Sequence, residues 1–354
     1  MEEKKGIVSR IFFALIAGVF ALALLLSGAA TFVSPTRIWF LSVIGLCFVP
    51  LAIICAIFFL VAIFRRSRVA WLLLLALVVA AAFSGRTFRF SNPKDSDTAG
   101  PSVMSYNVGL FANAASGAHS RLDLADSVAA YIRSVNPDVV CLQEFYLPNS
   151  VDEKRWLHSR FPGYRADYYI LTGEKGAAGC VTLSKFPVVR KGKIPFEGST
   201  NMVLYTDIES GGEIRRIYNC HLQSYNMSIP FIVSSVRSEE KMEESGRKFR
   251  RFILARARQV DSLVADMKNC PVPSFAVGDF NDMPVSYTYS RLIRGRKDAF
   301  RLARRGFGGT FSALFRLMRI DYVLYPKDLE ATAYKVGRVK YSDHYPLLVK
   351  FKQI

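Results

Sequence analysis

The sequence lacks the patterns that mark zinc proteins, redox centres and nucleotide loops. Its six cysteines form no C-x-x-C pair, so no spacing typical of a zinc or redox site is present. There is no G-x-x-x-x-G-K-[ST] loop and no internal repeat, and histidine occurs only four times in 354 residues. The cysteines are therefore interpreted mainly as small buried residues.

Charge is absent from three stretches near the N-terminus. Residues 11–33 form a run of 23 uncharged residues, and about 20 are needed to cross a bilayer. A cleaved signal peptide is the alternative interpretation, but the run is long and further apolar runs follow at 38–64 and 69–85. The pattern predicts a transmembrane anchor in residues 1–90 with about three helices, the third being short.

Basic residues near these runs predict their orientation. Lys4, Lys5 and Arg10 precede the first run, and three arginines lie at 65–68 between the second and third. Because such residues favour the cytoplasmic side, three spans place everything after residue 84 outside the cytoplasm, in a multi-pass membrane protein. If the third run is not a span, the following domain faces the cytoplasm instead.

The remaining chain is predicted to form a linker and one basic domain. Residues 91–101 are polar and contain proline and glycine, and the domain is expected to span 102–354. Residues 100–354 contain 37 basic and 25 acidic residues, a net charge of +12. This charge favours anionic partners such as nucleic acid, phosphodiesters or an anionic membrane surface, although solubility alone also explains it. Helices are predicted at 122–135 and at about 248–267.

Polar residues recur at the ends of apolar, strand-like runs in this domain. A soluble protein rarely places such groups in apolar strands without partners. Their number is better explained by one shared site than by separate satisfied core groups. The residues are Asn107, Glu144, His221, Asp279 with Asn281, Asp321, and Asp343 with His344.

The stretch from Gly278 to Asp282 follows a buried strand and ends before Pro284. Asp279 can accept a proton or orient a water molecule, whereas Asn281 and His221 can donate hydrogen bonds to a negatively charged oxygen. The same letters also form an ordinary Asx-rich turn, so this motif alone is weak evidence.

The other strand ends supply metal ligands and a charged pair. Glu144 and Asn107 offer hard oxygen ligands that suit Mg²⁺ or Mn²⁺ better than zinc. Asp321 is predicted to pair with His344 and to favour the charged imidazole, which can then bind phosphate. The alternative for His344 is a capped loop histidine.

Taken in order, these motifs resemble those of the endonuclease/exonuclease/phosphatase superfamily of DNase I-like proteins. The motifs are Tyr106-Asn107, Gln143-Glu144, His221, Gly278-Asp279-Phe280-Asn281, Arg319-Ile320-Asp321-Tyr322 and Ser342-Asp343-His344-Tyr345-Pro346. The resemblance implies a four-layered α/β/β/α sandwich over about residues 102–354 and Mg²⁺-dependent phosphoester hydrolysis. It further implies that Glu144 binds the metal with Asn107 beside it, and that Asp343 lies close to the metal.

The resemblance also implies roles for the other motif residues. Asp279 activates water, Asn281 and His221 contact the phosphate, and Asp321 pairs with His344. One departure is visible: several members carry Asn or Glu in the strand corresponding to residues 179–184, and this chain does not. A contact that orients the His221 side of the site is therefore expected to be missing.

The leading hypothesis is a membrane-anchored, Mg²⁺- or Mn²⁺-dependent phosphohydrolase that cleaves phosphoester bonds, either as a nuclease or as a phosphatase. A lipid or inositol-phosphate hydrolase of the same superfamily is the alternative, because a membrane tether would place it near its substrate. A non-catalytic binding module is a second alternative. Loss of the base, of the metal carboxylate or of the paired histidine would favour it. All three groups are present.

Overall fold

The structure is a computed structural model that describes residues 2–90, 100–113, 116–173, 176–225, 239–303, 305–313 and 316–354. The predicted linker, 91–101, falls almost wholly outside these residues. Two compact units are present, and they do not follow chain order. Unit 1 comprises residues 1–88, 226–257 and 283–290, and unit 2 comprises residues 89–225, 258–282 and 291–354.

Nine helices occur in the described part of the chain. Several begin or end where the sequence predicts: Ser120 caps the helix at 121–135 by accepting from the Asp123 amide at 3.1 Å, and Asn136 ends it in a left-handed conformation. The helices are α1 Glu2–Ala29, α2 Phe40–Leu46, α3 Phe48–Phe64, α4 Val69–Ala81, α5 Ser84–Thr87, α6 Arg121–Val135, α7 Glu153–Arg160, α8 Glu239–Asn269 and α9 Tyr287–Leu292.

Twelve strands occur in the described residues, all of them in unit 2. They are β1 Ser102–Asn107, β2 Val139–Leu147, β3 Arg165–Gly173, β4 Gly176–Ser184, β5 Val188–Pro195, β6 Met202–Ser210, β7 Glu213–His221, β8 Ser274–Asp279, β9 Arg296–Asp298, β10 Asp321–Pro326, β11 Ala331–Val336 and β12 Leu347–Phe351.

Unit 1 is built on apolar helices that pack through small and aromatic side chains. Ala17, Ala21 and Leu24 of α1 are buried against residues of α3 and α4, such as Cys55 and Leu73. Many other apolar side chains of these helices remain exposed. Such a surface suits an apolar surrounding better than water.

The predicted count of three transmembrane helices is not supported. Within residues 2–90, only Ile7–Ala29 is a single helix long and apolar enough to span a membrane. The predicted run 38–64 is two helices, α2 and α3, bent by 66°. The predicted run 69–85 is shorter than expected, because α4 has 13 residues and ends at Ala81. By length, one span is supported, or two if the bent pair crosses together.

Unit 2 contains two six-stranded mixed sheets. The first has the order β11-β12-β1-β2-β4-β3, and the second β5-β6-β7-β8-β10-β9. Apolar side chains of both sheets, such as Val103, Cys141, Phe275 and Val277, form the core between them. The central strands β1 and β8 are buried throughout because both of their faces are covered.

Helices cover the outer faces of both sheets. Residues of α6 and α7 pack on the first sheet, and on the second the Tyr218 hydroxyl donates to Asp266 of α8 at 2.5 Å. This arrangement agrees with the predicted four-layered α/β/β/α sandwich. Helix α8 contains the predicted helix 248–267 and is longer at both ends.

Strand register brings the polar strand ends to one edge of each sheet. In the second sheet, Asp279 of β8 lies opposite His221 of β7 and Asp321 of β10. In the first sheet, Asn107 of β1 pairs with Gln143 of β2, beside Glu144. The two edges meet, since the Asn107 amide donates to Asp279 across the sheets at 3.0 Å.

Candidate active site

Asp279 is the centre of the site. Its side chain is fully buried at the end of β8 and accepts hydrogen bonds from the Asn281 backbone amide at 2.8 Å and the Asn281 side chain at 3.0 Å. The preceding Gly278 has φ +133°, and a Cβ there would lie 2.1 Å from the carbonyl oxygen of Cys220. Only glycine therefore lets β8 approach β7 closely enough to place Asp279 beside His221.

Glu144 reaches the site because β2 is irregular at this point. The register with β4 shifts between Leu142 and Phe145, and Glu144 has a left-handed backbone with φ 51°. A β-bulge changes the direction in which a strand side chain points. Glu144 therefore does not follow the usual alternation of side chains between the two faces of the sheet. Its carboxylate accepts from Asn107 Nδ2 at 2.9 Å and lies 3.4 Å from His221 Nε2.

The predicted pair of His344 and Asp321 is present. His344 Nδ1 lies 3.0 and 3.2 Å from the two carboxylate oxygens of Asp321, and its Nε2 lies 3.8 Å from Asp279 Oδ2. Both residues are buried. Asp321 therefore fixes the imidazole so that its other nitrogen faces the central carboxylate.

His221 has an orienting partner that the sequence did not reveal. Asn201 Nδ2 lies 3.4 Å from His221 Nδ1 and donates to the Leu222 carbonyl oxygen at 3.2 Å. Asn201 directly precedes β6, whose first residue pairs with His221. The contact that was expected to be missing on the His221 side of the site is therefore supplied by Asn201, which lies just before β6 and not in the strand at 179–184.

Asn281 and Asp343 differ in their placement. Asn281 has φ 52°, and its side chain donates to the Leu222 carbonyl oxygen at 2.8 Å as well as to Asp279. Asp343 is exposed, accepts from Ser342 Oγ at 3.2 Å, and belongs to neither cluster of possible metal ligands in the described residues. The predicted roles of Asn281 at the phosphate and of Asp343 near the metal stay predictions.

Burial and charge separate the pKa values of the two carboxylates that face the histidines. Burial, strengthened by the charge of Asp321, raises the pKa of Asp279 to about 6. Burial also opposes ionisation of Glu144, but the hydrogen bond and charge of His221 prevail and lower its pKa to about 2. Glu144 is therefore an anion near neutral pH, whereas Asp279 can exchange a proton there.

Nearby carboxylates raise the pKa of both histidines. Burial disfavours the imidazolium of His344, but the charges of Asp321 and Asp279 outweigh it and raise the pKa of His344 to about 10. Burial acts on His221 in the same way, and its contact with Glu144 raises its pKa. His344 is therefore a cation near neutral pH that faces the central carboxylate, and a charged donor of this kind suits recognition of a phosphate.

The site has the donor set of a divalent cation site. The carboxylates of Glu144 and Asp279 belong to one cluster of ligand atoms that lie within 4.8 Å of one another, and those of Asp279 and Asp321 belong to another. His221 and His344 complete these clusters, and each can bind a metal only as a neutral imidazole. The carboxylates of Glu144 and Asp279 converge on one Asn107 nitrogen, so a cation there would offset their repulsion. The Asn107 carbonyl oxygen accepts from the Gly109 amide at 2.9 Å.

Two further residues support the pair of His344 and Asp321. Thr310 Oγ1 accepts from the backbone amides of Ile320 and Asp321, both at 3.1 Å, and fixes the start of β10. The Phe311 ring lies 4.9 Å from the His344 ring and covers it. Neither residue belongs to a motif identified in the sequence, so this support was not predicted.

Two family models match the chain. Residues 104–344 match the Endonuclease/Exonuclease/phosphatase family, and residues 9–87 match a domain of unknown function. No curated protein matches significantly.

Solved structures show the same fold at low identity. An endonuclease/exonuclease/phosphatase from Beutenbergia cavernae has 19% identity and a TM-score of 0.54, with 71% of each chain covered. D. rerio TDP2 complexed with a single-strand DNA product has 16% identity and a TM-score of 0.52, covering 72% of this chain and 99% of its own. The human Nocturnin catalytic domain with bound sulfate has 16% identity and a TM-score of 0.51, covering 75% and 97%.

The family match spans well over half of the sequence, and it includes every strand end that meets at Asp279. The fold and the site geometry agree with it. The chain therefore belongs to the endonuclease/exonuclease/phosphatase family, whose members are phosphoester hydrolases.

Proposed function

We propose that the chain is a membrane-anchored, Mg²⁺- or Mn²⁺-dependent phosphohydrolase in which Asp279 activates the attacking water. The observation that carries this proposal is the convergence of His221, Asn281, Asp321 and His344 on the buried Asp279 carboxylate. A buried base flanked by cationic donors suits attack on a phosphoryl centre, where negative charge builds on the oxygens.

Each residue of the site has a role in this proposal. Asp279 accepts a proton from water, and its hydrogen bonds to Asn281 hold its orientation. His221 and His344 donate to the phosphoryl oxygens, with Asp321 keeping His344 charged. Glu144, with Asn107 and Asp343 nearby, would hold the cation, which polarises the phosphoryl oxygen and steadies the leaving oxygen when bound.

The apolar helices of unit 1 support a membrane location. Helix α1 is long enough to cross a bilayer, and Lys4, Lys5 and Arg10 at its start favour the cytoplasm for that end. With α1 as the one span, the α/β domain lies on the extracytoplasmic side. Protease treatment of right-side-out vesicles tests this, since the domain is degraded there only if it lies outside.

Nucleic acid is the leading substrate class. The basic charge of residues 100–354 favours a polyanion, and one protein of the same fold was solved with a single-strand DNA product. A phospholipid or inositol phosphate is the second candidate, favoured by α1, which would hold the enzyme where lipid substrates are concentrated.

The test uses the full chain in detergent with Mg²⁺, Mn²⁺ or EDTA and bis-p-nitrophenyl phosphate as the probe. We expect metal-dependent turnover that falls by about 10²–10⁴ in Asp279→Asn, the usual contribution of a general base. Asp123→Asn is the control, because Asp123 is an exposed residue of α6. Turnover that survives EDTA, or equal rates for the two variants, would contradict the proposal.

Three further substrates in the same assay separate the two classes. Single-stranded DNA, RNA and vesicles containing phosphatidylinositol phosphate are compared at equal phosphate concentration. The preferred substrate distinguishes a nuclease from a lipid enzyme, because the two recognise different groups around the same phosphorus.

A further inference from the structure

Two arginines share one tyrosine ring close to the site. The guanidinium carbon of Arg338 lies 4.7 Å from the centre of the Tyr345 ring, and that of Arg316 lies 5.4 Å from it. Tyr345 directly follows His344, and its ring is buried, whereas both arginines are exposed. Two planar cations therefore contact the same ring at the surface.

In the part of the chain that the structure describes, these two charges have no acidic partner. Among the described residues, neither guanidinium forms an ion pair with a carboxylate. Arg338 Nη1 donates a hydrogen bond to the Gly309 carbonyl oxygen at 3.2 Å. Burial and the charge of Arg316 both lower the pKa of Arg338. Two like charges held together in this way attract an anion, and an arginine fork fits the oxygens of a phosphate.

Sheet topology places this pair at the catalytic edge. Val336 at the end of β11 pairs with Leu347, the first residue of β12, and Leu347 pairs with Ser105 of β1, two residues before Asn107. Arg338 follows β11 by two residues. Because β11 and β1 are two strand spacings apart, the end of β11 that leads to Arg338 lies roughly 10 Å along the sheet edge from Asn107.

We infer that Arg316 and Arg338 form a subsite for a second phosphate group of the substrate, beside the phosphate that is hydrolysed. This inference rests on the proposed function and narrows it to substrates with at least two phosphates. Two sources share that chemistry: the neighbouring phosphate of an oligonucleotide and a second phosphate on an inositol headgroup.

The experiment compares probes that differ in the number of phosphates. The full chain with Mn²⁺ is assayed on bis-p-nitrophenyl phosphate, on a 5′-phosphorylated thymidine dinucleotide, and on a soluble inositol bisphosphate. We expect Arg338→Ala and Arg316→Ala to raise KM roughly tenfold or more for a two-phosphate probe, because a hydrogen-bonded charge is lost. The single-phosphate probe should be unaffected, and the probe with the larger effect identifies the source.

Two variants separate charge from geometry. Arg338→Lys keeps the charge but loses the planar fork, so its KM should lie between those of the unsubstituted protein and Arg338→Ala. Arg155→Ala is the matched control, since Arg155 is an exposed arginine of α7 on the outer face of the first sheet. It should leave every KM unchanged.

A binding measurement keeps the subsite separate from catalysis. The affinities of the same probes are measured by calorimetry for Asp279→Asn with and without Arg338→Ala. Weaker binding of only the two-phosphate probes supports the subsite even if no probe is turned over, a result that would count against the proposed function alone. Equal losses for all probes, or no loss for any, would overturn the inference.

Discussion

In α1, Phe12, Leu15 and Val19 each expose more than 60% of their surface, whereas every residue of β8 from Ser274 to Asp279 is buried. The α/β unit also buries charged side chains such as Arg216 and Asp207, which pair with each other. The exposed apolar side chains of α1 suit an apolar surrounding, whereas the α/β unit buries charge where its partners are fixed.

The comparison also shows how burial serves the site. In unit 2 the buried charges occur in pairs, and those at the catalytic edge face one another across two sheets. Such groups are costly to bury alone but are held rigidly once paired. The apolar residues of the strands in both sheets therefore hold the polar groups of the site in place.

The largest effect on stability should come from breaking a buried pair away from the site. Asp207 accepts two hydrogen bonds from Arg216, at 2.6 and 2.8 Å, and both side chains are 6% exposed. Asp207→Asn leaves the buried Arg216 with only the more distant Asp266, 3.9 Å away, as a counter-charge, so we expect a loss of about 3–5 kcal/mol in urea unfolding. Glu209→Gln, an exposed change on the same strand, should leave the free energy of unfolding unchanged. Equal losses of stability in the two variants would mean that burial does not determine the cost of removing the carboxylate.

The next largest effect should come from placing a charge on the exposed apolar face of α1. Val19 lies near the middle of the 7–29 helix and is 67% exposed. Val19→Lys should disfavour insertion by about 2.5–3.5 kcal/mol and shift the protein out of the carbonate-resistant membrane fraction. Ile214→Lys on β7, where the side chain is 42% exposed, should leave the fraction unchanged. If both variants stay in membranes, α1 is not the anchor.

The smallest effect concerns a buried carboxyl with weaker partners. Asp167 accepts from Thr206 Oγ1 at 2.8 Å and lies 3.9 Å from Lys191 Nζ, and burial raises its pKa. A raised carboxyl pKa contributes stability below the ordinary pKa of aspartate and loses it as pH rises through the folded value. Asp167→Asn should therefore melt slightly higher than the unsubstituted protein at pH 7 and equally at pH 3. A lower midpoint at pH 7 would show that the ion pair dominates.

The strands, and the placement of polar residues at their ends, were well predicted because their signals are local. Apolar runs such as 139–142 and 274–277 are long enough to indicate strands, and Asp279, Asp321 and His344 stand out as polar groups at their ends. The pairing of Asp321 with His344 was also predicted and is confirmed by the contacts.

Other features depended on contacts between distant parts of the chain. Asn201 reaches His221 through the pairing of β6 with β7, and Arg316 reaches Arg338 through a shared tyrosine, so neither link follows from spacing. The span count failed for a related reason. Hydropathy measures length and composition, but it does not report the 66° bend between α2 and α3.

The sequence by itself determined the strand-forming runs, the apolar N-terminal helices and the set of carboxylates, amides and histidines available for chemistry. These follow from residue type and short-range pattern. Only the tertiary structure decided which of those groups meet. The bulge at Glu144, the close approach at Gly278 and the register of β7, β8 and β10 depend on strand pairing over long separations, which no local pattern specifies.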